Sequence, residues 1–214
     1  MLGPLVEWVK VCPEVESGMG TPRESIRLVD EGGRIRLLTV KTGVDHTDSM
    51  TAYAANKVTA LGDEDLCGYV LKKDSPSCGM TRVKVYGGNG PPAKTGVGVF
   101  AQALLARFPH LPVEEEGRLT DPRLRENFIE RVFAYRRLRD LFESRWTVDD
   151  LVRFHTAHKL VLLAHSTQAY ARLGRFVAGA KSADRAAVRT RYTAGFMEAL
   201  TEVATPKRRR IRKS

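Results

Sequence analysis

The hydrophobic pattern changes period at about residue 121, and this narrows the folds open to the chain more than any other feature. Before that point, short apolar runs alternate with turns punctuated by Gly and Pro. After it, Leu124, Phe128, Val132, Tyr135, Leu138 and Phe142 recur at three- and four-residue spacing, the period of one helix face. Such a chain builds two unlike regions, and its 214 residues suffice for one large or two small domains. The expected fold class is α/β, a three-layer unit with a mostly parallel sheet, over residues 1–117, then an all-α helical domain over 121–205, then a basic tail over 206–214.

In the first region, residues 5–11 read as a strand running into Cys12-Pro13. Residues 25–38 read as two strands around Asp30-Glu31-Gly32-Gly33, with 34–40 an edge strand. A helix is expected over 49–62, with Thr47 or Asp48 as N-cap and Gly62 at its end. Strands follow at 66–72, with Cys67 inside, and at 82–86. Residues 87–92 read as a loop, Thr95-Gly96 leads into a helix through Arg107, and 108–113 is a connection or last strand. Interleaved strands and helices imply crossover connections, which place sites at strand carboxyl ends. In the second region Asp121-Pro122 caps a helix over 123–144. Thr147, with Asp150 three residues on, starts a helix to about Leu173, with Gly174 at its end or at a kink, and a last helix spans 183–201.

Composition excludes some classes of function. No apolar run reaches the roughly 18 residues that span a bilayer. The N-terminus has neither a basic segment nor the apolar core of a signal peptide. These features exclude a membrane partner and place the protein in the cytoplasm. The net charge of +10 suggests nucleic acid, yet Lys207, Arg208, Arg209, Arg210, Arg212 and Lys213 supply six of the 35 basic residues. The remainder is 29 basic against 25 acidic, a net +4, so the basic character belongs largely to the tail. Three cysteines, Cys12, Cys67 and Cys78, are too few for a disulfide framework. They are catalytic thiols, metal or cluster ligands, or core residues.

The chemistry-bearing stretch is Lys72-Lys73-Asp74-Ser75-Pro76-Ser77-Cys78-Gly79-Met80. A buried strand ends in a rigid turn that carries a thiol at its tip, although a lone cysteine there also fits a small core residue. Cys12, before Pro13 and Glu14, is a second thiol at a strand end. The Gly18–Glu24 loop carries Arg23 and Glu24, which pair with each other or contact a polar substrate. His46 reads as a loop residue. His155, His158 and His165 fall within about 80° of one helix face at roughly 100° per residue. They line a polar groove, pack against other helices, or offer ligands. The i, i+4 His pair of single-helix zinc sites is absent.

Three segments, Trp8–Val15, Gly18–Glu24 and Lys72–Gly79, resemble the thiouracil desulfurase (TudS) family. Residues 121–205, with Phe154-His155-Thr156-Ala157-His158-Lys159 and Ala164-His165-Ser166, resemble the YbgA-type helical domain often fused behind it. The resemblance implies an enzyme that removes sulfur from a small thiolated nucleobase such as 2-thiouracil. It implies a 4Fe-4S cluster on three cysteines, with a fourth iron open to the substrate sulfur. Two ligands map onto Cys12 and Cys78, a catalytic serine onto Ser75, and a proton-handling carboxylate is assigned to Glu14. The family's first strand, with its Cys-Leu-Leu-Gly and the third cysteine ligand, has no counterpart here. Cluster binding is therefore expected to be weak or absent in this chain, and the end of the helical domain reads as truncated. The alternative is a binding protein whose helical His/Arg face recognises a partner or nucleic acid.

Overall fold

The computed structural model describes residues 6–87 and 90–204. It divides into two compact units. The first holds the residues up to Leu66 together with Val70–Pro109 and Val113–Gly117; the second holds Cys67–Tyr69, His110–Pro112 and the chain from Arg118 on.

The first unit starts from a hairpin. Strands β1 (Ile26–Glu31) and β2 (Arg34–Thr39) pair antiparallel, from Ile26 opposite Thr39 to Glu31 opposite Arg34. Gly32 and Gly33 both have positive φ, 66° and 91°, as a tight two-residue hairpin turn requires. Helix α1 (Thr47–Ala60) buries Met50, Ala54 and Val58, a one-sided i, i+4, i+8 stripe. Neither Thr47 nor Asp48 caps it, because the N-cap position is His46, whose side chain makes no capping bond. Thr47 is turned elsewhere: its Oγ1 accepts from the Leu37 amide, and Asp45 accepts from the Thr47 amide and hydroxyl. Those bonds, and then Arg36, hold the Asp45 carboxyl down at about 2.

Strands β3 (Tyr69–Leu71), β4 (Val83–Tyr86), β5 (Ala93–Gly96) and β6 (Val113–Glu115) and helix α2 (Val99–Arg107) complete the α/β elements. The four-stranded sheet has the order β2-β1-β4-β5, and β3 pairs with β6 in a second sheet. The main sheet is mixed rather than mostly parallel: β1–β4 is parallel, and the two flanking pairs are antiparallel. Three strand placements also fail. Residues 6–12 form no strand, and Trp8 and Val9 are exposed. Cys67 lies ahead of β3 instead of inside it, and β5 occupies a stretch read as the approach to a helix.

The second unit is helical. Helix α3 (Pro122–Glu143) begins as expected, with Asp121 Oδ1 accepting from the amides of Arg123 and Leu124. Thr147 and Asp150 form a reciprocal capping box at α4 (Val148–Ala157). The long helix expected to run to residue 173 is instead broken twice. His158 separates α4 from α5 (Lys159–His165), and Ser166 caps α6 (Thr167–Ala178), its Oγ accepting from the Ala169 amide. Gly174 lies inside α6, and α7 (Arg185–Ala199) closes the unit. Phe142, Trp146, Leu151, Leu162, Leu173, Tyr192 and Phe196 form one buried core. The basic tail lies outside the described residues. Among the described residues no helix is long and apolar enough to cross a membrane.

The three histidines belong to this core and do not share one helix face. His155 stacks on Tyr170 with ring centroids 5.1 Å apart, and its Nδ1 meets the Tyr192 hydroxyl at 3.1 Å. His158 stacks on Phe154 and bonds the Phe154 carbonyl through Nδ1. His165 faces acceptors on both nitrogens, Glu130 Oε2 at 2.7 Å and the Glu202 carbonyl, which suits the doubly protonated ring.

Burial therefore lowers the pKa of His155 and His158, and the Glu130 carboxylate raises that of His165. The signs are opposite. A raised folded pKa adds stability that is complete below the ordinary histidine value of 6.5 and is lost as pH climbs through the folded value. A lowered one costs stability as pH falls from 6.5 toward the folded value. Thermal stability of the intact chain is expected to fall on both sides of neutrality. Glu130→Gln is expected to shrink the alkaline decline by about 1 kcal/mol, given the 40% exposure of the Glu130 side chain, with the Glu202 carbonyl still favouring the protonated ring. An unchanged alkaline limb in that variant would contradict the assignment to His165.

Candidate functional site

After β3 the chain enters a tight turn. Asp74 adopts a left-handed conformation, φ 58°, which the short Asp side chain tolerates better than most. Ser75 then organises the turn. Its Oγ accepts from the amides of Cys78 at 3.1 Å and Ser77 at 3.3 Å, and its carbonyl accepts from the Gly79 amide at 2.7 Å. The start of α2 clasps the same turn. The amides of Phe100 and Ala101 donate to the Ser77 carbonyl, that of Val99 to the Pro76 carbonyl, and that of Gly98 to the Gly79 carbonyl. The open N-terminal amides of α2 are thereby satisfied, and Cys78 is held in place. On the far side of Cys78, the buried Glu115 of β6 accepts from the Met80 amide at 2.8 Å.

The Cys12 segment reaches the same place from the other direction. Cys12 opens a turn that continues as a wide helical stretch, Val15–Met19, and Glu14 projects between the two thiol-bearing segments. Glu14 Oε2 accepts from Cys12 Sγ at 3.6 Å and lies 3.8 Å from the Arg23 guanidinium. Its Oε1 lies 3.4 Å from Ser75 Oγ and is bonded by the Ser77 hydroxyl. Each hydroxyl has a single proton, and the two shortest contacts use them: Ser75 donates to Ser77 over 2.9 Å, and Ser77 donates to Glu14. Ser77 Oγ is also 3.5 Å from Cys78 Sγ. Burial pushes the Cys78 thiol up to about 11, with Glu14 and Cys12 adding to the rise and the Ser77 hydroxyl opposing it.

Cys12, Glu14, Ser75 and Cys78, singled out from motifs in separate segments, therefore meet in one hydrogen-bonded cluster. Ser77 and Arg23 join it. Ser77 carries a sequence signal, being the second serine of the same Ser-Pro-Ser-Cys turn. Arg23 was expected to pair with Glu24 or contact a substrate; it pairs with Glu14, while Glu24 binds Thr42 and the Lys41 amide. Cys67 belongs to the other unit, where burial raises its thiol and Arg139, Asp140 and Glu143 are its charged neighbours. None of the three cysteines is in a disulfide. Beside Glu14 and Ser75 opens a cleft of about 520 Å³, lined also by Arg23, Lys72, Lys73 and Asp74.

A family model described as 2-thiouracil desulfurase matches residues 1–116. The chain belongs to the 2-thiouracil desulfurase family. The desulfurase match contains the whole cluster and its cleft. A second model, a protein family of unknown function designated DUF1722, matches residues 159–210 of the helical region. Among solved structures, a 4Fe-4S-dependent thiouracil desulfidase, TudS, is 28% identical over 56% of this chain and 74% of its own, with a TM-score of 0.44. No curated protein matches.

Proposed function

We propose that this chain replaces the sulfur of a thiolated nucleobase of the 2-thiouracil class with oxygen. The observation that carries the reading is the convergence of Cys12, Glu14, Ser75, Ser77 and Cys78 beside a polar cleft, inside the region that the desulfurase family matches. In the net reaction, water and the thiocarbonyl compound give the carbonyl compound and hydrogen sulfide. Water supplies the oxygen and both protons that leave with sulfur. The cleft is wide enough for a single pyrimidine ring, and its charged rim suits a polar heterocycle.

The chain's own groups handle the protons. Glu14 takes a proton from the attacking water and returns it to the departing sulfur, and the Ser75–Ser77 hydroxyl chain links the cleft edge to Glu14 Oε1. Arg23 holds the Glu14 carboxylate from the cleft side.

An iron–sulfur cluster, the cofactor named for the solved desulfidase, would supply a Lewis-acidic iron for the sulfur. Cys12 and Cys78 suit two of its thiolate positions. Cys67 belongs to the other unit, and no group of three or more Cys, His, Asp or Glu able to hold a metal ion occurs among the described residues. The described residues do not complete the ligand set.

The reading is tested by anaerobic incubation with iron and sulfide, then assay of uracil formed from 2-thiouracil. Cys78→Ala is expected to abolish turnover and Cys67→Ala to leave it unchanged. Turnover by Cys78→Ala at the wild-type rate would overturn the proposal.

A further inference from the structure

Glu16 carries a set of bonds that the reaction does not use. Its Oε1 accepts from the Cys12 amide at 2.8 Å, and its own amide donates to the Cys12 carbonyl at 2.9 Å. Its Oε2 accepts from the Tyr53 hydroxyl at 2.8 Å and lies 2.9 Å from Lys57 Nζ. Tyr53 and Lys57 are one turn apart on α1. The carboxylate therefore ties the backbone of Cys12 to a rigid helix, while Cys12 itself lies in a segment without strand pairing. Burial raises the Glu16 pKa, but its bonds to Lys57, the Cys12 amide and Tyr53 outweigh that and lower it, so the carboxylate is the form these bonds select.

The same helix is the reference for the second thiol. Tyr53 packs against Phe100 of α2 with ring centroids 6.2 Å apart, and the Phe100 amide donates to the Ser77 carbonyl next to Cys78. We infer that Glu16, anchored by Tyr53 and Lys57, is a positioning residue that fixes Cys12 against α1 and so sets its thiol toward Glu14 and Cys78. The inference rests on the reading of Cys12 as a functional thiol. Glu16 touches neither the cleft nor a reacting atom.

The test is site-resolved alkylation of the three cysteines of the intact chain by iodoacetamide, followed by mass spectrometry. Losing a hydrogen bond to a charged acceptor is expected to raise the Cys12 rate about tenfold in Glu16→Ala. Cys78 and Cys67 are expected to react as in wild type. Glu16→Gln, which keeps an oxygen for the Cys12 amide, is expected to restore most of the protection. Lys57→Met, which leaves the other oxygen to Tyr53 alone, is expected to give an intermediate rate. An unchanged Cys12 rate in Glu16→Ala overturns the inference. So does an equal acceleration of all three cysteines, which would make Glu16 a general stabiliser. The 2-thiouracil assay separates this from the functional reading: if Cys12→Ala turns over normally, that reading fails, whatever the alkylation rates show.

Discussion

Gly98→Ala is expected to lower the stability of the α/β unit by about 3 kcal/mol, as overpacking against a fixed backbone does. The backbone at Gly98, φ −63° and ψ 143°, is open to any residue, so the penalty is wholly steric. A Cβ there would lie 2.4 Å from the Ser77 carbonyl carbon, 2.5 Å from its oxygen and 2.6 Å from the Cys78 amide nitrogen. None of these atoms is a flexible side-chain end that can swing aside. The methyl must push the Ser77–Cys78 backbone away from the start of α2 and break the bonds from Phe100 and Ala101 to the Ser77 carbonyl. The corresponding fall in Tm is roughly 6–12 °C for a chain of this size. Desulfurisation and normal Cys78 protection are expected to be lost with it. Gly90→Ala is the control, because nothing lies within 4 Å of the Cβ it would add. Equal Tm values for the two variants would refute the close packing of α2 against the thiol turn.

Glu14→Gln is expected to cut desulfurisation by about 10²- to 10⁴-fold, the usual contribution of a positioned acid–base group. Its effect on Tm should be small. The amide fills the same space and still accepts from Ser77 through its one oxygen, with the NH2 in the Oε2 position beside Cys12 Sγ, yet it takes no proton from water. It also leaves the Arg23 guanidinium without its carboxylate partner. Loss of rate without loss of stability distinguishes a proton carrier from a structural tie between the two thiol segments. Were Glu14→Gln to retain half of the wild-type rate, the proton role would belong elsewhere in the cluster.

Legibility from sequence followed how local each determinant is. The hairpin was readable because Gly32 and Gly33 announce positive φ, and α3 because Asp121-Pro122 is a capping signal held within three residues. The segment before Cys12 was misread as a strand. Alternation at Leu5–Val11 records a pattern, whereas a strand also needs a neighbour to receive its amides, and none pairs with it among the described residues. The helix from 148 was drawn too long for the opposite reason. Its apolar period continues through His158 and Ser166, but Ser166 spends its hydroxyl on the Ala169 amide and begins a new helix. That choice also voids the argument that His155, His158 and His165 share one helical face.

For the site, motif resemblance singled out Cys12, Glu14, Ser75 and Cys78, and the structure brings them together. Their chemical roles stand as the proposal. Ser77 and Glu16 escaped notice because their importance lies in what they touch across some 60 residues of sequence or on a neighbouring helix, which spacing alone does not encode; Arg23 was noticed, but with Glu24 or a substrate as its partner instead of Glu14. Gly98 escaped for a related reason: a glycine with ordinary φ is informative only once the atoms crowding its missing Cβ are known.

The contact between Tyr53 and Phe100 has a mechanical consequence. The Cys12 segment is moored to α1 and the Cys78 turn to the start of α2, so the seam between these helices works as the hinge pin of a caliper with a thiol on each jaw. The gap between the jaws is then tunable from behind. A smaller side chain at Phe100, which is fully buried, would let α2 settle toward α1 and carry one thiol with it, while every residue around the cleft kept its identity. Adaptation of such a site to a bulkier or slimmer substrate need not begin in the cleft at all.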